Sequence, residues 1–348
     1  MTAAIFTEPV LGYPTLASPL LADSGLADFA GKFSQVIAAL AIFLGALALI
    51  FFAAGRATGR FTRPLSIAVF LGPAVLLLFV GLVIPTIRTT YLSLKSDDSA
   101  RFIGVKNYQW AFTSSPIHQV LVNTVEWIVI APVLATALGL TVALLVDRLR
   151  SQAVYKSLIF MPMAISFVGA SIIWKFVYDA RDPAHPQIGL LSQVVIALGW
   201  HRPPNWILSH PLNNFLLMVI LIWTQTGFAM VVLAAAIRAI PEDVVEAARM
   251  DGAKGGRLLY YVTLPMIRST LVVVLTTVMI TTLKIFDIVR TMTGGNFGTQ
   301  VLANEMYSQS FVQFNYGRGS ALAVILFVAV LPLVGYNIVQ LRRERSTR

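Results

Sequence analysis

The 348-residue chain is 57% hydrophobic and only 12% charged, with a mean hydropathy of +0.77 and a formal net charge of +10. Soluble globular domains carry about 25% charged residues, so this composition excludes an ordinary water-soluble domain and calls for lipid as the solvent. The positive balance comes without a basic stripe interleaved with aromatics, which argues against nucleic acid, and the absence of cysteine removes disulfides, thiolate metal sites and cysteine nucleophiles.

A bilayer core about 30 Å thick needs about 20 apolar residues in a helix. Seven runs meet that length, at 33–53, 65–87, 120–146, 157–178, 213–236, 262–285 and 320–341. They are continuous rather than alternating, and open strands would leave backbone groups unpaired in lipid, so each run predicts a helix. The expected fold is therefore an all-α integral membrane bundle of about seven transmembrane helices, with one further helix outside the membrane.

The first thirty residues contain Pro9, Pro14 and Pro19 and no basic start, so they do not read as a cleavable signal, and the run 33–53 reads as an uncleaved anchor. The basic turn at 55–63 suggests a boundary: an outer tail plus extra anchor span over 1–63, and a six-span core over 64–348. In the third span Ala131, Ala135, Gly139 and Ala143 recur every four residues, a small-residue face on which another helix packs closely. Pro132 and Pro162 interrupt the third and fourth spans, which membrane helices tolerate when neighbours satisfy the freed carbonyls. The fifth span carries Trp223, Thr224, Gln225, Thr226 and Phe228 near its middle; Gln225 is costly to leave unpaired in lipid and must face a helix neighbour or a cavity. Beyond the sixth span, the glycines of 294–298 read as loop, while Asn304 and Tyr307 are candidate contacts for a solute or an outer partner. Four scattered histidines, His118, His185, His201 and His210, lack metal-ligand spacing.

Short cytoplasmic loops carry an excess of Lys and Arg. Fourteen such residues, including Arg56, Arg60, Arg148, Lys156, Arg249 and Arg343, fall on one side of the predicted spans, against nine spread over longer segments on the other. The C-terminus is expected inside and the N-terminus outside.

A carrier driven by a proton gradient places Asp, Glu or His in mid-membrane. Here Glu126, Lys175, Arg268, Lys284 and Asp287 all lie near span ends, where long side chains reach the interface. An embedded enzyme would need a catalytic pair, and the nearest approach, Asp97-Asp98, reads as a solvated loop pair. No phosphate-binding glycine loop is present, so ATP hydrolysis is not expected of this chain. It conducts passively or takes its energy from a partner.

The longest cytoplasmic loop, about 240–265, lies between the fifth and sixth spans. Pro241 suits the first position of a helix, Glu242 and Asp243 complement the positive end of its dipole, and Gly252 suits the left-handed residue that ends it. A helix of about three turns follows, slim at Ala247, Ala248 and Gly252, with Val244, Val245 and Met250 as apolar contacts. By itself it reads equally as a surface amphipathic helix with no partner.

Glu246-Ala247-Ala248, then three residues, Gly252, nine residues, Val262, Thr263 and Leu264-Pro265 resembles the signature loop of binding-protein-dependent ABC importer permeases, EAA-x3-G-x9-I-x-L-P. Only Val262 departs from it. Phe102-Ile103-Gly104 with Asn107-Tyr108, Asn123-Thr124, the run 161–166 with Trp174, Trp223 with Gly227-Phe228, and Met292-Thr293-Gly294-Gly295 are similar to sugar permeases of the maltose type, and especially to α-glucoside permeases. The resemblance covers nearly everything after residue 65. It implies that the loop is a coupling helix seated on an ATPase subunit, with Glu246, Ala247, Ala248, Asp251, Gly252, Ala253, Leu264 and Pro265 as coupling residues. It also implies a second permease, two ATPase copies that bind the ATP and Mg, and an extracytoplasmic sugar-binding protein, with no cofactor and no metal on this chain. Trp223, Gln225, Thr226, Phe228, Asn304 and Tyr307 are the expected cargo contacts for an α-glucoside or another oligosaccharide. The alternatives are a non-sugar solute in the same role or a self-sufficient secondary carrier. The extra first span departs from the six-span pattern of many such permeases.

Overall fold

A computed structural model describes residues 62–146, 151–182 and 184–346, together with 31–38, 40, 41, 43–45, 48 and 52. The N-terminal tail and much of the expected anchor span 33–53 lie outside the described residues. The chain divides into a unit ending at Pro85 and a unit beginning at Thr86. Among the described residues five helices are long and apolar enough to cross a bilayer: Phe70–Leu92, Ser115–Val146, Leu212–Arg238, Gly256–Leu283 and Tyr316–Gln340. A bent pair makes a sixth if it is counted as one span.

In chain order the helices are α1 Thr62–Leu78, α2 Ile84–Leu92, α3 Lys106–Thr113, α4 Ser115–Val146, α5 Gln152–Phe160, α6 Phe167–Val177 and α7 Leu190–Ala197. They continue with α8 Leu212–Arg238, α9 Glu242–Met250, α10 Gly256–Leu258, α11 Leu264–Leu283, α12 Asp287–Met292, α13 Leu302–Tyr307 and α14 Tyr316–Ser346. Three segments among the described residues are π-turns: Phe79–Val83 between α1 and α2, Leu259–Thr263 between α10 and α11, and Ser308–Val312 directly after α13. The first two precede an X-Pro pair, Ile84-Pro85 and Leu264-Pro265. A proline inside a helix has no N–H to donate and its ring collides with the carbonyl four residues back, so the ladder widens by one residue there. Accordingly Ile84 N–H donates to the Phe79 carbonyl and Leu264 N–H to that of Leu259, five residues back in both cases.

The expected span over 157–178, with its interruption at Pro162, is a sharply bent pair of helices in the structure. α5 ends at Phe160, a 3-10 turn covers Met161–Ala164, and α6 leaves at 102° to the preceding segment. Ile165 and Ser166 are extended, with ψ of 134° and 150°, and the Ser166 hydroxyl caps α6 by accepting from Gly169 N–H at 3.1 Å. A polar cap placed four residues after Pro162 starts a new helix where hydropathy registers an unbroken run.

In the unit that follows Thr86, α8 is the central helix; α4, α5 and α11 pack on it, and α14 packs on α11, α13 and α3. Lipid tails are as apolar as leucine, so close backbone approach rather than burial from water holds such helices together. The small-residue face of α4 does this work. Ala131, Ala135 and Ala143 are fully buried, and a Cβ on Gly139 would stand 2.5 Å from the Ala229 Cβ and 2.8 Å from the Met230 nitrogen. Gly227 plays the same part on α8, where a Cβ would stand 2.6 Å from the Ile159 carbonyl oxygen of α5. Polar ties join α11 to α14: Thr276 Oγ1 with Asn337 Oδ1 at 2.5 Å, and Gln340 Nε2 to Ser269 Oγ at 3.0 Å.

Candidate functional site

The helix α9 is nine residues long and none of it is buried. Pro241 stands outside it as the capping residue, with an extended ψ of 134°; this corrects its expected place as the first helical residue. Glu242 and Asp243 occupy the first turn and Arg249 the last, each opposite in charge to the nearby dipole end. The C-terminus closes as a Schellman motif, in which Gly252 N–H donates to the Arg249 carbonyl at 3.0 Å and Ala253 N–H to that of Ala248 at 2.9 Å. Gly252 has φ of +81°, the left-handed conformation that its place in the motif predicts. Met250, 88% exposed, and the exposed Val244 leave an apolar edge on the surface. Leu264 and Pro265 lie beyond the π-turn at the start of α11, so the loop motif ends where its helix enters the bundle. At the same end Gln152 Oε1 accepts from Lys156 at 3.0 Å and from Arg238 at 2.8 Å, tying the start of α5 to the last turn of α8.

Beside the bend, a cavity of about 430 Å³ is lined by residues that include Leu138, Pro162, Trp174, Ile222, Trp223 and Thr226. Trp174 meets Trp223 edge-on at 5.8 Å and Tyr178 at 5.1 Å, and the Tyr178 hydroxyl donates to the Leu216 carbonyl at 2.9 Å. The structure thus brings Trp223 and Thr226 onto one cavity and leaves Gln225 and Phe228 off it. Phe228 packs against the core, whereas half-buried Gln225 makes no hydrogen bond within the described residues. The cavity wall is largely apolar, and Thr226 spends its hydroxyl proton on the Ile222 carbonyl at 2.7 Å. Such a wall suits the apolar face of a ring better than its hydroxyl edge.

At the opposite end of the bundle the segment 293–302 is stapled from below. Fully buried Asn123 of α4 donates to the carbonyls of Gly298 at 2.6 Å and Gln300 at 2.8 Å, and Thr124 Oγ1 accepts from Leu302 N–H at 2.9 Å. Asn213 of α8 donates to the Phe297 carbonyl at 2.9 Å. Gly294, Gly295, Phe297 and Gly298 all have positive φ, a chain of left-handed turns that three glycines make feasible. Asn304 is fully buried beneath this loop, donating to the Gly294 carbonyl at 3.2 Å and pairing with Gln300. In this conformation it supports the loop and does not face an open cavity. Tyr307 is only partly buried, with its ring against Phe286 at 5.0 Å and Phe311 at 5.2 Å and under the Arg290 guanidinium at 4.9 Å.

Sequence reasoning missed the amide and carboxylate groups around Asn304. Glu305 accepts from Gln300 Nε2 at 2.6 Å and from Gln309 Nε2 at 2.7 Å, while Asn304 Oδ1 and Gln309 Oε1 are buried with no partner among the described residues. The spacing i, i+4 of 300 with 304 and of 305 with 309 was the available signal. Glu126 is held by Asn214 Nδ2 at 3.0 Å, with Trp127 Nε1 on the same amide at 2.8 Å. Asp98 caps its own turn, accepting from Ser96 Oγ at 2.5 Å and Ala100 N–H at 3.0 Å, and the Ser96 bond, with the Ala100 bond behind it, holds its carboxyl below the usual range.

Residues 135–346 match the family described as binding-protein-dependent transport system inner membrane component. The chain is 47% identical over 279 residues to the osmoprotective compounds uptake permease protein GgtC of Synechocystis sp., an alignment covering 80% of this chain and all of that protein. It is also 47% identical over 276 residues to the alpha-glucoside transport system permease protein AglF of Rhizobium meliloti, covering 79% of this chain and 82% of that one. A bacterial ABC transporter involved in the import of the acidic polysaccharide alginate shares the fold, with a TM-score of 0.70 over 81% of this chain and 97% of that chain at 19% identity.

Proposed function

The chain belongs to the family of binding-protein-dependent transport system inner membrane components and is a permease subunit of an ABC importer, and on that premise we propose that its cargo is a sugar, an α-glucoside or another oligosaccharide. The 47% identity to an α-glucoside permease supports the choice of cargo, as does the pair of tryptophans on a cavity of about 430 Å³. In this reading an extracytoplasmic binding protein delivers the sugar, a second permease completes the pathway, and two ATPase subunits hold the ATP and Mg. This chain then binds no cofactor of its own. Trp223 and Thr226 meet the ring, Gln225 turns to its hydroxyls as the spans move, and Asn304 and Tyr307 shape the outer entrance. The C-terminus is cytoplasmic and the N-terminus outside. Residues 1–63 form an outer tail with an additional anchor, and 64–348 form the six-span core.

The observation that carries the coupling role is α9, a capped helix with an apolar edge and no fully buried residue. Glu246, Ala247, Ala248, Asp251, Gly252 and Ala253 seat on the ATPase, and Leu264-Pro265 passes the displacement into α11. Energy enters through the different affinities of the ATPase for two arrangements of the bundle. Purification of the assembly from its native membrane should bring down an ATPase. Glu246→Lys or Gly252→Pro should strip that ATPase while leaving the chain in the membrane. Retention of full ATPase stoichiometry by both variants would refute the coupling role. In vesicles loaded with ATP, α-glucosides with the binding protein should stimulate hydrolysis. Stimulation only by non-sugar solutes would remove the cargo reading and leave the permease assignment standing.

A further inference from the structure

The structure holds a second groove at the basic end of the bundle, of about 500 Å³, lined by Tyr260, Tyr261, Leu264, Pro265, Arg268 and Leu271. Twenty helical residues span the bilayer core, and counting back from Lys284 by that number reaches Leu264. The Arg268 backbone therefore lies about one turn inside the core edge, from where its side chain reaches the interface, and the tyrosine pair lies just outside it. Tyr260 and Tyr261 are 68% and 69% exposed and meet edge-on at 5.1 Å, the place and the residue type of an interfacial aromatic belt. Arg268 is exposed and makes no hydrogen bond or ion pair within the described residues. An arginine that reaches a membrane surface with no protein partner among the described residues presents its guanidinium to anionic headgroups there.

We propose that this groove binds an anionic phospholipid of the inner leaflet, its phosphate on the Arg268 guanidinium, its glycerol region against the exposed outer side of the tyrosine pair, and an acyl chain along Leu264 and Leu271. A guanidinium forks onto phosphate oxygens in two parallel bonds, and basic pockets on the cytoplasmic side of membrane helices take acidic headgroups. The apolar floor continues into α11, which selects a lipid over a free phosphate ion. The site adjoins the π-turn that joins the coupling loop to α11, so a bound lipid lies where the displacement from α9 enters the membrane. The inference rests on the orientation proposed above.

The test uses the purified assembly in mixed phosphatidylglycerol and phosphatidylcholine vesicles, with retained lipid counted by native mass spectrometry. Wild type should retain phosphatidylglycerol over phosphatidylcholine by about fivefold, the weight of one basic residue at an anionic surface. Arg268→Gln should abolish the preference and Arg268→Lys should keep most of it. An unchanged preference in Arg268→Gln would overturn the site, and so would displacement of the lipid by inorganic phosphate alone. The chain has no native cysteine, so Arg268→Cys reports its neighbour directly. A crosslink from it to the second permease in place of a lipid would make the groove a protein interface and refute the proposal. Labelling of Arg268→Cys by an impermeant maleimide from outside would show the orientation to be wrong, a failure distinct from that of the lipid site.

Discussion

Gly252 allows the coupling loop to be tested by a substitution whose cost has one source. Its φ is +81°, and a Cβ built on it meets nothing within 4 Å. Alanine there is opposed by backbone conformation and not by crowding from this chain. A left-handed alanine costs about 1–2 kcal/mol, which lowers the equilibrium constant for the capped arrangement by about 5–30-fold. Affinity of the ATPase for the detergent-purified permease should fall by up to that factor in Gly252→Ala. Gly252→Asn should lose less, because asparagine visits the left-handed region several-fold more often than most residues. Both affinities can be read by titrating the ATPase against immobilised permease. Equal losses in the two variants would mean that a side chain of any kind is excluded by the partner. No loss in Gly252→Ala would mean that the Schellman closure is irrelevant to docking, and the reasoning from φ would fall.

Gly139→Ala should destabilise the bundle by about 1–3 kcal/mol through overpacking, with Ala229→Gly recovering part of the loss, because the Ala229 Cβ at 2.5 Å is only one of the crowding atoms; thermal unfolding in detergent with a double-mutant cycle measures both. Asn123→Ala strips the donor from two carbonyls at 2.6 and 2.8 Å and should cost about 1–3 kcal/mol for each one left buried, with faster amide exchange over 293–302. Trp223→Ala should raise the KM for transported sugar while leaving ATPase retention unchanged. The Asp98 carboxyl is held below its ordinary pKa by Ser96 and Ala100, so the turn is favoured above the unfolded carboxylate range and that support is lost as pH falls through the lowered value. The protection of the Ala100 amide, taken relative to its intrinsic exchange rate at each pH, should fall in acid, and Asp98→Asn should remove that pH dependence of protection.

Features set by short-range periodicity were legible in the sequence. The four-residue repeat of Ala131, Ala135, Gly139 and Ala143 announces a close helix contact, and the partner face at Ala229 completes it. The signals around α9 fixed its ends to within a residue, since caps and dipole charges act over one turn. The bend after Phe160 was obscured because an average over hydropathy contains no ψ angle; the combination of Pro162 with the Ser166 cap was its trace. Asn123 and Gly298 are 175 residues apart and meet only through tertiary packing, so no local pattern foretold that bond. Asn304 sits on a helix of six residues, under two turns, too short for periodicity to tell its buried face from its open one.

The π-turn ahead of Leu264-Pro265 has a bearing on how the coupling motif tolerates change in length. A widened turn accommodates one residue more than a regular helix needs, and one residue in an α-helix is worth about 100° of rotation. The azimuth of α11 relative to the coupling loop is therefore set by a single missing amide hydrogen. Pro265→Ala alone would permit the ladder to close four residues back, turning Tyr260 and Tyr261 to a different side of the axis. Deleting one residue from 259–263 in the same chain would restore their side. Two alterations that each put the loop out of phase with the membrane would then restore the phase in combination.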